Sequence, residues 1–290
     1  MLKTEIHRLS QRPAPIRLGC FVLCLLILWL PLAAPFYLYV RDTNLVSIVT
    51  MVLLYVEFMI LTKLWGKHVY NESQVLRRYG LEFTRQNGVE LLRGLAIGFI
   101  CVLVLFGIEG ILGWLVWQQP EVFLLKIVLE GLIVGLAVGF AEELLFRGWL
   151  LDELQRNYSP NVSLWVNAVL FAVSHFIKPL EAIIHSFPQF PALVLLGLTQ
   201  VWSKRWCRGR LGLAMGLHGG LAWGYYIINV GNLMTYSGQV PDWVTGVNRN
   251  PLAGIMGLLF MAVLALFIRG RAGKLGEASK LSTRSVKNQN

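Results

Sequence analysis

An all-α, polytopic membrane bundle of about eight spanning helices is the fold class this sequence predicts, on three observations. The chain of 290 residues is 56% hydrophobic and only 14% charged. Its mean hydropathy is +0.59, far outside the range of a water-soluble domain. Its apolar runs recur at about 18 residues or more, the length that carries an α-helix across the hydrocarbon core.

The runs fall near 18–40, 44–62, 94–117, 122–150, 161–178, 189–203, 211–230 and 251–268, the sixth being the short one. The first follows a basic stretch and contains "LPLAAPF", but it is too long for a signal peptide. It has no clean small-x-small site, and Pro35 sits where cleavage would leave a new terminus, so a retained anchor is expected. The longest polar stretch between runs, 66–93, mixes charge with Val75, Leu76, Tyr79, Leu81 and Phe83 and predicts an interfacial helix. Residues 269–290 are polar and basic, a composition that predicts disorder. The whole reads as one membrane domain, 1–290: a basic N-terminus (1–17), three spans (18–117), a core (120–235), a last span (251–268) and the tail.

Lys and Arg set the expected orientation. With eight spans, 22 of the 26 basic residues fall on the side of the two termini, and only Arg41, Lys126, Lys178 and Arg249 lie opposite. Cytoplasmic termini follow. The net charge of +10 is then explained by topology and by attraction to anionic lipid, and needs no nucleic acid. Cys20, Cys24, Cys101 and Cys207 show neither metal-ligand pairs nor a disulfide framework. Even Cys207, among Arg205, Arg208 and Arg210, reads as an inert thiol.

Glycines recur every fourth residue at 131, 135 and 139 in the fourth run and at 212, 216 and 220 in the seventh. Small residues at that spacing let helix backbones meet closely in lipid, so these two helices are expected at the centre. They also carry most of the polar residues inside the runs. Glu130, Glu142, Glu143 and Arg147 lie in the fourth, Asn167, Ser174 and His175 in the fifth, His218 and Asn229 in the seventh, and Glu109 in the third.

A charged residue at a helix centre costs about 2.5–3.5 kcal/mol on insertion, so "FAEELLFRGW" needs a reason. Glu143 and Arg147, four apart, share a face and can neutralise each other. Glu142 points about 100° away, free to face another partner and to act as a general base. Two histidines, His175 and His218, sit within other runs, whereas His185 lies in the loop "HSFPQFP" and reads as an ordinary loop residue. At 1.5 Å per residue Glu142 lies about 12 Å and His218 about 10 Å from the inner ends of their helices, and these agree. His175 lies at about 15 Å or about 21 Å, depending on whether its helix begins at Trp165 or Asn161.

Three sequence elements then resemble the CPBP intramembrane proteases, the group of CAAX prenyl endopeptidases and bacteriocin-processing enzymes also called Abi. "EELLFRG" is similar to the E-E-x-x-x-R signature, "FAVSH" to F-x-x-x-H, and the histidine of "LHGGLAW" to the start of H-x-x-x-(N/D), all within about 120–235. The resemblance implies an eight-helix intramembrane endopeptidase open to the cytosol, with Glu142 and His175 activating water, Glu143 and Arg147 in support, and His218 stabilising the oxyanion or completing the water site. The substrate it implies is a protein or peptide at the membrane, prenylated or not. Glu142, His175 and His218 have the chemistry of an open His₂Glu zinc site and equally that of a site holding bare water. No other cofactor is implied. The chain departs from the pattern at Ala222, four residues after His218, where the family has Asn or Asp, and Asn229 is about 16 Å from His218 along the helix. That departure leaves open a turnover-deficient scaffold that protects a membrane partner. A transporter is the third reading, disfavoured by the lack of a polar trail beyond Glu109 and Glu130.

Overall fold

The computed structural model describes the backbone of residues 8–120 and 123–287, and side chains as far as 274. Lys3, the start of the fourth run at Val122, and the last three residues of the tail lie outside the described residues. Eight helices occupy the eight runs. They are α1 (Ala14–Tyr39), α2 (Thr43–Val69), α3 (Arg85–Ile111), α4 (Leu124–Gln155), α5 (Pro160–Ser174), α6 (Phe190–Trp206), α7 (Gly212–Val230) and α8 (Ile255–Lys287). Six of them are long and apolar enough to cross a membrane, α6 together with the turns from Leu180 that precede it. The chain is an integral membrane protein. The other two are α5, of 15 residues, and α7, whose five glycines and His218 lower its hydropathy.

Local chemistry sets the ends. The Asp42 carboxylate accepts from the backbone N–H of Asn44 and Leu45 at the start of α2, Thr84 Oγ1 from that of Asn87 in α3, and Ser159 Oγ from that of Val162 in α5. Pro160 stands in the first turn of α5, where its missing N–H removes no helix bond.

α7 lies between α3 and α4, and glycine makes both contacts. A Cβ on Gly216 would stand 1.9 Å from the Leu91 carbonyl oxygen of α3, and one on Gly135 would stand 2.5 Å from that of Gly219 in α7. The two expected stripes are therefore used on different partners. Gly131, Gly135 and Gly139 of α4 face α7, whereas Gly212, Gly216 and Gly220 of α7 face α3, which meets them with Gly94 and Gly98.

The structure departs from the sequence reading in three places. α3 begins at Arg85 and ends at Ile111, because Gly113 turns the chain at φ 74°. Residues expected at its end instead form strand β1 (Leu115–Trp117), antiparallel to β2 (Met234–Tyr236) with Leu115 opposite Tyr236. Between α2 and α3 the expected interfacial helix is reduced to Val75–Arg78, bounded by Asn71 and Gly80 at positive φ. Two of the apolar residues of this stretch turn inward, Val75 packing on Gly66 and Tyr79 lying against Gly148, whereas Phe83 is exposed. The tail expected to be disordered continues α8 as helix to Lys287, through Ala, Leu, Glu, Lys and Arg, which favour helix.

Candidate active site at the π-helical stretch of the fourth helix

α4 is α-helical to Glu143, π-helical over Leu144–Leu150, and α-helical again over Leu151–Gln155. π-helical turns leave backbone carbonyls for outside donors. Two such donors come from neighbouring helices: Asn167 Nδ2 of α5 donates to the Phe146 carbonyl (2.8 Å), and Lys204 Nζ of α6 to that of Arg147 (2.7 Å).

Glu143 and Arg147 are fully buried and form the expected pair, Arg147 Nη1 donating to Glu143 Oε1 at 3.1 Å. Arg147 Nη2 donates to the Gly197 carbonyl (3.1 Å), and the guanidinium lies 4.2 Å from the centre of the Phe171 ring. Glu143 has a second partner that the sequence did not reveal. His218 Nδ1 stands 2.8 Å from the same Oε1. A carboxylate accepts, so the Nδ1 proton is donated to it, and His218 Nε2 is turned the other way.

Nε2 faces Glu142. Its distance to Glu142 Oε2 is 3.9 Å, too long for a hydrogen bond and about the span that one water bridges. Glu142 is 32% exposed and its Oε2 has no hydrogen-bond partner. His175 is the C-cap of α5, where the chain leaves the helix, and its Nδ1 donates to the Phe171 carbonyl at 2.8 Å. The Phe171 ring stands between the histidines, 4.8 Å from the His175 ring and 6.0 Å from that of His218. Both histidines line one cavity of about 260 Å³, together with Ala222, Leu193, Leu196 and Met261. No hydrogen bond or ion pair joins His175 directly to Glu142 or His218 among the described residues.

Glu142, His218 and His175 fall short of a ligand set for one ion: among the described residues no three His, Cys, Asp or Glu gather in that way. Three other polar residues of the runs differ in their surroundings. Ser174 donates to the Phe171 carbonyl (2.7 Å), Glu130 meets Lys126 (3.8 Å) on an exposed face, and Glu109 is fully buried with both oxygens unpartnered. Cys207, just beyond α6, has its thiol pushed up to about 12 by burial and the nearby Glu90 carboxylate, which keeps it protonated and unreactive.

Several residues of this region were not singled out from sequence. Gln189 and Asn250 line the cavity and bond to each other (2.6 Å), Lys204 counted only as a topological charge, and Phe171, the first residue of "FAVSH", had no role assigned although its ring meets Phe146, His175, His218 and the Arg147 guanidinium. Glu57, inside the second run, was passed over, although a carboxylate in "LLYVEFMI" is itself a signal.

These features define a polytopic helical membrane protein with a buried carboxylate, arginine and histidine site where one helix turns from α to π. Residues 123–224, from the start of α4 to α7, match the family model of the type II CAAX prenyl endopeptidase Rce1-like domain. The three motifs fall inside the match, while α1 to α3 and α8 fall outside it. No curated protein and no solved structure matches the chain.

Proposed function

We propose that the chain is an intramembrane endopeptidase in which Glu142 activates water. The observation that carries this reading is the contrast between adjacent carboxylates. Glu143 is fully buried and bound by Arg147 and His218, whereas Glu142 is 32% exposed and faces, across 3.9 Å, a nitrogen of the histidine that lines the cavity.

In the reaction Glu142 takes one proton from water, and the water oxygen attacks the carbonyl carbon of the scissile peptide. The Nδ1 proton of each histidine is already donated, His218 to Glu143 and His175 to the Phe171 carbonyl, so the tautomer that acts in this step is the one that offers Nε2 as an acceptor. One of the two rings holds the second proton of the water. When the tetrahedral intermediate collapses, the C–N bond breaks and the proton on Glu142 passes to the leaving amine. Termini and basic loops on the cytoplasmic side, with the site open there, complete the reading.

A scaffold without turnover remains the second reading, and one observation favours it. Ala222 lines the cavity beside His218 with no amide to offer, and the amide of Asn167 and the hydroxyl of Ser174 donate to backbone carbonyls instead. The test is the purified full chain in detergent, assayed with prenylated and unprenylated peptides and analysed for bound metal. Wild type is expected to cleave and Glu142→Gln to lose about 10²–10⁴ of the rate while unfolding at the same temperature. Full activity in Glu142→Gln sinks the assignment; an inactive wild type favours the scaffold.

A further inference from the structure

At the C-terminal end of α2 the chain turns back through Val75–Arg78, and a cleft of about 360 Å³ opens between the two. Gly66 creates it. A Cβ there would meet Val75 at 2.7 Å, so only glycine lets the turn seat this closely, and the Glu72 N–H donates to the Gly66 carbonyl (2.8 Å) to hold it.

The lining is of one sign. Lys63 and Lys67, one turn apart on α2, join Arg77, the Ser73 hydroxyl and the Gln74 amide, and no carboxylate lines the cleft. The neighbouring charges are already engaged: Arg78 donates to Asp152 (2.9 Å), and Glu72 accepts from the Gln74 N–H (2.9 Å). Among the described residues none of Lys63, Lys67 and Arg77 is paired with a carboxylate. Leu64, 49% exposed, and Leu76 form the apolar part of the same lining. Three free cations beside outward-facing leucine, at the end of a helix long and apolar enough to span, match a molecule with an anionic head and an apolar tail.

We propose that this cleft binds the phosphate headgroup of one anionic phospholipid, its acyl chains running along Leu64. The binding is separate from the peptidase reading, since none of these residues lines the cavity of the two histidines.

Native mass spectrometry of the full chain, from micelles holding equal phosphatidylglycerol and phosphatidylcholine, tests it. Wild type is expected to retain one phosphatidylglycerol. Each cation near the surface contributes about fivefold, so Lys63→Gln/Lys67→Gln/Arg77→Gln should weaken retention by about 100-fold. The charge-matched Arg269→Gln/Arg271→Gln/Lys274→Gln should change it by less than about threefold. Should the first triple variant fail to fold, Arg77→Gln alone, on an exposed turn, is expected to lose about fivefold. Equal losses in both triple variants would make the attraction diffuse and overturn the site. Protection of the unfolding midpoint by millimolar inorganic phosphate, equal to that by the lipid, would overturn the lipid as its occupant. Wild type retaining no phosphatidylglycerol, or as much phosphatidylcholine, would overturn it as well.

Discussion

The glutamates of two buried glutamate–arginine pairs lie ten residues apart on α4, and the pairs are built differently. Glu153, near its end, is saturated: Arg17 Nε of α1 donates to Oε2 (2.9 Å), and the Tyr70 hydroxyl lies within hydrogen-bond reach of both oxygens (2.6 and 2.7 Å). Arg17 is equally occupied, donating through Nη2 to the Glu153 carbonyl (3.0 Å) and through Nη1 to Asn157 Oδ1 (2.7 Å) and the Arg12 carbonyl. Burial, then the charge of Glu153, raises the pKa of Tyr70, so its hydroxyl remains a donor at any physiological pH. Glu143 is not saturated. Its Oε1 takes both bonds, and Oε2 and Arg147 Nε are buried without partners. A saturated pair fastens one helix to another, whereas a pair short of partners keeps capacity for something not yet bound.

The comparison is broken most directly at the saturated pair. Arg17→Met strands a buried carboxylate and is expected to cost about 3–5 kcal/mol in denaturant unfolding, while the protein that remains folded keeps its kcat. A change in kcat at equal folded fraction would make Arg17 part of the site. Next is Ala222→Asn, which adds a donor beside His218 where donors are short. A working oxyanion donor contributes about 10²–10³ in rate, or about 2.7–4 kcal/mol, so a gain approaching that is expected in peptide cleavage, with KM little changed. If cleavage stays at zero while Glu142 and His175 are intact, the scaffold reading prevails. Glu143→Gln comes third, since the amide oxygen can still accept one of the two bonds. A loss of about 1–3 kcal/mol in stability is expected, with a lower kcat because His218 is no longer oriented by a charge. A stability loss as large as that of Arg17→Met would erase the distinction between the pairs. The smallest effect belongs to Gly19→Ala on α1, where a Cβ meets nothing within 4 Å. It should raise stability by about 0.5–1 kcal/mol, read as a small increase in the unfolding midpoint, whereas Gly216→Ala, which would push against the Leu91 carbonyl, should lower it.

What the sequence made legible was what depends on spacing along one helix. The pair of Glu143 and Arg147 four residues apart, the separate direction of Glu142, and the glycine stripes all follow from helical period, and all are present. What it hid depends on packing between helices. Arg17 looked like one more topological charge until α1 packed beside Glu153, and nothing in "LHGGLAW" says that Nδ1 of its histidine meets Glu143 rather than Glu142. β1 was hidden for another reason. Three residues are too few to show alternation, and "WLVW" reads equally as the end of an apolar helix.

The π-helical stretch of α4 has a consequence in terms of phase. Upstream, Gly131, Gly135 and Gly139 must point at α7; downstream, Glu153 must point at Arg17. The wider turns over Leu144–Leu150 shift one half against the other by roughly one residue, about 100° of rotation. Removing one residue from that stretch should restore a regular helix, and the regular helix should then satisfy either the glycine seam or the Arg17 anchor but not both. The length of this segment is therefore constrained more tightly than the identity of its apolar residues, and a substitution at Leu145 should be tolerated where its deletion is not.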